Sequence, residues 1–241
     1  MDDSGILSFL MFPLTAAGVA AAGLAARVLG WRVLHRMIDE PLGRLMDTLA
    51  AGTFGFVVFM LALTLTSVRE NFVETEAGVA TEALELRQLE RAMETDPADR
   101  RAALVASYAR AVVDHDWPAL GRSRPALAPE STQALAQLRA TCAGDELAAV
   151  GRIEHLREER LRRARAGAPP LFWAVTTVVL LVAAFMRGTT PATRGQLVVL
   201  GLYLAAFGLV IALTHEFERP FWGWVSVSSE PIARLAEIAG K

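Results

Sequence analysis

Apolar and charged positions are segregated along this chain rather than mixed. Four runs are nearly free of charge, at about 5–26, 49–68, 168–186 and 196–214, while charged residues crowd the interval 69–167. A helix needs about 20 apolar residues to cross a hydrocarbon core of roughly 30 Å, so each run predicts a membrane span. The second, Leu49–Val68, holds neither a charge nor a proline. Arg69 and Glu70 follow it with no helix breaker, and the sequence turns rich in Ala, Leu and Glu as far as Met93. Gly78 costs a helix only about 1 kcal/mol relative to alanine. One helix over 49–93 is therefore predicted, apolar at first and then a rod in water.

The fold class that follows is all-α: a polytopic membrane protein with four transmembrane helices and a helical cytoplasmic insertion between helices 2 and 3. Residues 1–68 carry spans 1 and 2, 69–168 the helical insertion, 169–216 the hairpin of spans 3 and 4, and 217–241 a cytoplasmic tail. Asp2 and Asp3 oppose the positive start that a signal peptide requires, so the first run is read as a span.

Small residues mark faces where helices approach closely in lipid. Gly18 and Ala22 form such a pair in span 1, and Gly201, Ala205, Gly208 and Ala212 make a longer stripe in span 4. Past span 2, Val73, Ala77, Ala80 and Leu84 recur at spacings of 4, 3 and 4, which predicts a face turned to a partner helix. Asp96–Pro97 reads as the cap and first turn of the next helix. That helix runs to about Asp114 with Leu104, Tyr108, Ala111 and Val112 on its apolar side, and Asp114–Pro118 ends it. A Pro/Gly linker covers 118–131, a helix from about Thr132 to Arg165 is broken near Gly144, and a short helix spans Ile232–Ile238.

Composition adds little chemistry. The mean hydropathy of +0.35 is high for a soluble domain, and a net charge of −2 gives no reason to expect nucleic acid. Cys142 is the single cysteine, which suits a reducing compartment. Arg157, Arg160, Arg162, Arg163 and Arg165 stand just before span 3, and this cluster points to a cytoplasmic insertion. No metal-ligand spacing, nucleophile motif or phosphate loop is present, so neither a metal, a cofactor nor an enzyme is predicted.

Several short motifs, taken together, resemble a family. Asn71-Phe72, Glu82-Ala83 with Leu86 and Leu89, Pro97, Tyr108 and Asp116-Trp117-Pro118 are similar to the first half of the bacterial bestrophin-like domain family. Asp116 stands where that family usually has Glu. Arg219-Pro220-Phe221-x-Gly223, followed by Val-Ser-x-x-Pro, resembles its C-terminal signature. The likeness covers roughly 49–235. It implies an oligomeric anion channel with a pore lined by the second span, since the family is named for a distant similarity to the bestrophin channels.

By that analogy Phe56, Met60 and Thr64, at i, i+4 and i+8, are the expected pore-lining residues. Glu70, Glu74, Glu82 and Glu85 are expected at a pore mouth, where rings of carboxylates favour cations. Ala83, Tyr108, Asp116, Trp117, Pro118, Arg219, Pro220, Phe221 and Gly223 are expected to serve structure. The partners implied are membrane lipid, inorganic ions and further copies of the chain, in a bacterial inner membrane with both termini cytoplasmic. Two other readings stay open: a cation channel with a cytoplasmic Glu ring, and a non-conducting scaffold that binds a partner through its cytoplasmic helices.

Overall fold

The structure, a computed structural model, describes residues 3–93 and 101–238. The predicted helix start at Asp96–Pro97 lies outside the described residues. Among those that are described there are helices and no strand. Four of the helices are long and apolar enough to cross a membrane. Contacts divide the chain into two compact units, one of Met1–Arg69 with Ala168–Phe217 and one of Glu70–Gly167 with Glu218–Lys241.

The first unit holds α1 (Asp3–Leu34), α7 (Pro170–Met186), a 3₁₀ turn (Arg187–Thr189) and α8 (Arg194–Phe217). It also holds the start of α2 (Glu40–Met93), the single 54-residue helix that continues into the second unit. Both α1 and α2 are longer than the sequence indicates. Trp31 and Arg32 are still helical, and α2 opens at Glu40, nine residues before the apolar run begins. The Asp39 side chain caps it by accepting the Leu42 N–H at 3.3 Å, and Pro41 sits in the first turn, where a missing N–H leaves no bond unmade.

Helix α1 packs along both α7 and α8. The span 4 stripe serves this contact: a Cβ on Gly208 would stand 2.6 Å from the Ala16 Cα, so only glycine fits there. On the α1 side the expected pair was misplaced. Gly18 and Ala22 are exposed, and the buried line runs through Ala16, Gly23, Arg27 and Gly30. Because α1 is apolar nearly all round, its sequence carries no face to read. Phe54, Val57 and Leu61 of α2 close the unit's core against Leu180, Ala183, Leu204 and Phe207.

The second unit contains α2 from Glu70 onward, α3 (Arg101–Ala111), a π-helical turn (Val112–Asp116), α4 (Trp117–Leu120), α5 (Pro129–Thr141), α6 (Asp145–Arg165) and α9 (Glu230–Ile238). Its core joins Leu86, Leu89 and Met93 to Val105, Tyr108, Val112, Leu138, Ile153, Ile232 and Leu235. The break between α5 and α6 falls at Gly144, whose φ of 54° favours glycine.

Two expectations fail here. Residues Asp114–Pro118 do not end the helix: the Trp117 N–H reaches back five residues to the Val112 carbonyl, and helical turns continue to Leu120. Pro118, which has no N–H, is tolerated because it falls in the first turn after that wider loop. Nor does the stripe Val73, Ala77, Ala80 and Leu84 face a helix of this chain; all four are exposed. The face that α2 buries is Thr75, Val79, Glu82, Ala83, Leu86 and Glu90, three of them polar.

Candidate functional site

In the second unit the motif residues converge on a buried ionic cluster. The π turn supplies Asp116, fully buried at 0% exposure. Two arginines of α6 meet it: Arg157 Nε donates to Oδ2 at 3.0 Å, and Arg160 Nη2 donates to the same oxygen at 3.1 Å. Asp116 Oδ1 accepts the Ala128 N–H at 2.8 Å and the Ser131 hydroxyl at 2.6 Å, which ties down the start of α5. Arg157 completes its own set with the Ser131 and Thr132 hydroxyls and the Ala128 carbonyl.

Arg160 bridges Asp116 to α2, where Nη1 donates to Glu82. Tyr108 of α3 donates its hydroxyl to the other Glu82 oxygen at 3.1 Å. Two carboxylates thus face two guanidiniums with a phenol and a hydroxyl as spacers, and the cluster is neutral as a whole. Burial lifts Glu82 above the usual carboxylate range although Arg160 pulls the other way. The same burial, with Glu82 beside it, pushes the Tyr108 phenol well up. Burial works against the charge of Arg160, yet Glu82, Tyr108 and Asp116 outweigh it and hold the guanidinium above its ordinary value.

Against this cluster lies the C-terminal signature. The Arg160 guanidinium stands 5.1 Å from the centre of the Trp117 ring, within cation–π range. Trp117 in turn meets Phe221 edge-on at 5.3 Å and donates its indole N–H to the Val227 carbonyl at 3.2 Å. Val227 N–H donates back to the Pro220 carbonyl at 2.7 Å, closing the loop 220–227. Gly223 turns that loop at φ 92°, a conformation other L-residues rarely adopt. Arg219 stacks over Trp222 at 5.4 Å, and Ala83 is buried in the α2 face beside Glu82. Buried charge pairs of this kind fix a geometry more than they add stability. The cluster holds α2, α3, α5 and α6 in register, and it offers no exposed group for chemistry.

Of the four carboxylates expected at a pore mouth, Glu82 is therefore inside this core at 1% exposure. Glu74 is paired with Arg163 and Glu85 with Arg152 at 3.0 Å. Glu70 is exposed. Sequence reading took Arg157 and Arg160 for a membrane-edge cluster. The signal for their burial was available: they continue the apolar register of Val150, Ile153, Leu161 and Ala164 on α6.

In the first unit, Phe56 is exposed, whereas Met60 and Thr64 are half-buried and the Thr64 hydroxyl bonds its own helix at Met60 O, 2.9 Å away. A four-residue step advances a helix by about 40° beyond a full turn, so the series 56, 60, 64 drifts from the open face toward the packed one. Gly52, Phe59 and Leu63 are exposed with Phe56 on the open face. Asp114 and His115 are exposed and separate from Asp116 in role. No three His, Cys, Asp or Glu residues among the described ones are grouped as metal ligands.

The Bestrophin-like domain family matches this sequence over residues 17–232. No curated protein and no solved structure matches it. The family match spans nearly the whole chain, from the first span through the α2–α6 cluster to the loop that packs on Trp117. This chain belongs to the Bestrophin-like domain family.

Proposed function

We propose that the protein is one subunit of an oligomeric ion channel in which α2 lines the pore. The observation that carries this reading is the state of α2 in the first unit. One face is packed on α7 and α8 through Phe54, Val57 and Leu61, while the opposite face, Gly52, Phe56, Phe59 and Leu63, is bare. An apolar, aromatic face of this kind suits a neck that gates by dewetting. Phe56 sits within it, and Met60 and Thr64 border it.

Anions are the proposed cargo. The family likeness supports this, and so does the fate of the carboxylates: Glu82 is buried on Arg160, and Glu74 and Glu85 are held by arginines. A ring of such paired groups exerts a weaker field on a cation than free carboxylates do. The proposed setting is a bacterial inner membrane, with the second unit and both termini in the cytoplasm. A cysteine placed at exposed Gln88 in a Cys142→Ser background would then resist an impermeant maleimide in intact cells and react after permeabilisation.

The deciding experiment is the reversal potential of purified protein in a planar bilayer under a KCl gradient. Reversal near the chloride potential is expected, and Phe56→Ala should enlarge the current. Reversal near the potassium potential would keep the channel and overturn the proposed selectivity. One observation favours a second reading: Val73, Ala77, Ala80 and Leu84 form an exposed apolar stripe in the second unit, as a non-conducting scaffold would use to hold a partner. Silence from a well-folded oligomer would shift the assignment to that scaffold.

A further inference from the structure

Two cavities lie in succession along α2 and α8 within the first unit, and Tyr203 lines both. One, of about 580 Å³, is walled by Ala51, Phe54, Val199 and Leu200 and is topped by Arg187, Thr193 and Gln196. The next, of about 290 Å³, is lined by Val58, Leu61, Ala62, Leu65, Ala206 and Val210, with no charged residue. Polar groups are thus confined to one end of a groove that is apolar for the rest of its length.

The polar end is charged in one sense. Arg187 ends α7, and among the described residues its guanidinium makes one polar contact, to Asp47 at 3.4 Å. Arg27 of α1 is buried nearby, donating to the Thr190 carbonyl at 3.0 Å in the same connection. Two guanidiniums against one carboxylate leave a net positive charge. Thr193 and Gln196, both on the cavity wall, cap α8 reciprocally at 3.0 and 3.3 Å, which uses the Gln196 carbonyl oxygen and not its amide N–H groups. Arginine binds phosphate oxygens by geometry as well as charge.

The length of the groove selects the rest of the ligand. From Ala51 to Leu65 α2 rises about 21 Å at 1.5 Å per residue. Half of a bilayer, headgroup included, is about 20–22 Å of its roughly 40–45 Å. We propose that this groove is a binding site for an anionic phospholipid, with its phosphate on Arg187 and Gln196 and one acyl chain laid between α2 and α8. The site is independent of the proposed pore. It occupies the flank of α2 that carries Ala51, Val58, Ala62 and Leu65, away from the face of Phe56 and Met60.

Native mass spectrometry of the detergent-purified protein, titrated with phosphatidylglycerol and phosphatidylcholine of identical chains, tests the assignment. Phosphatidylglycerol should bind about tenfold more tightly, because both lipids carry the phosphate but the choline cation of phosphatidylcholine offsets its charge beside Arg187 and Arg27. Arg187→Gln should abolish that preference. Asp47→Asn, which breaks the same ion pair but keeps the guanidinium, should retain it, and so separates a ligand role from a structural one. Ala206→Trp, which fills the apolar cleft, should weaken both lipids. Water-soluble glycerol 3-phosphate should fail to displace phosphatidylglycerol. Equal affinity for both lipids would mean no selection for an anionic lipid, an unaltered preference in Arg187→Gln would remove the headgroup contact, and displacement by glycerol 3-phosphate would mean a free-anion site. Each of those results would overturn the proposal.

Discussion

The two units hold themselves together by opposite means. In the first, the helices meet through what is missing: glycine and alanine bring the α8 and α1 backbones together at Gly208 and Ala16. In the second, they meet through large and ionised side chains, with Asp116, Glu82, Arg157, Arg160 and Tyr108 interlocked at the centre. The difference follows the solvent that each is proposed to occupy. Lipid tails are as apolar as leucine, so helices gain little by burying leucine from them and gain more by close backbone packing. In water, apolar burial drives association, and a few buried charges then specify which helix faces which.

Perturbing each unit in its own terms sharpens that contrast. Asp116→Ala should have the largest effect, because it strands the buried Arg157 guanidinium and leaves Arg160 with Glu82 alone. Breaking one side of a buried pair costs about 3–5 kcal/mol, to be read as a drop in the unfolding midpoint of the purified protein. Restored stability on combining it with Arg157→Met, which leaves the Arg160–Glu82 pair intact, would attribute the loss to stranded charge rather than to a cavity. Trp117→Ala should cost about 3 kcal/mol, the low end for removing a packed aromatic, and should free the loop 220–227 to proteolysis. If cleavage there is unchanged, Trp117 does not anchor it.

Gly208→Leu belongs to the other regime. It should cost about 1–3 kcal/mol by overpacking, loosening α1 within the subunit rather than separating subunits. An unshifted midpoint would show that α1 and α8 can part without loss, against the close-packing account. At the small end stands Glu154→Gln, which removes the exposed pair with Arg139 at 2.7 Å. Exposed pairs contribute little, so no change in midpoint is expected, and a clear one would mean that surface charge matters more in the second unit than its buried cluster suggests.

The four spans and the continuity of α2 were legible because twenty apolar residues in a row have few other uses. What escaped sequence reading were the faces. An apolar search along α2 picks Val73, Ala77, Ala80 and Leu84, whereas the buried side carries Thr75, Glu82 and Glu90. Residues engaged in a buried network look polar until their partners are known, and those partners lie on α6, more than seventy positions away for Glu82 and Arg160. The C-terminal signature was visible as a motif but not as the lid on Trp117, because only the fold brings residues 117 and 221 together.

The π turn at Val112–Asp116 amounts to one residue more than an α-helix would use in that space. A gene that lost a single codon there would still encode a good helix. Residues past the turn would keep their phase relative to α3, since the wider turn is what absorbs the extra residue, so the loss would fall on the turn itself, which places Asp116 among its arginines. In this stretch the number of residues carries as much information as their identity. A one-codon deletion would be a larger change than many substitutions at the same positions.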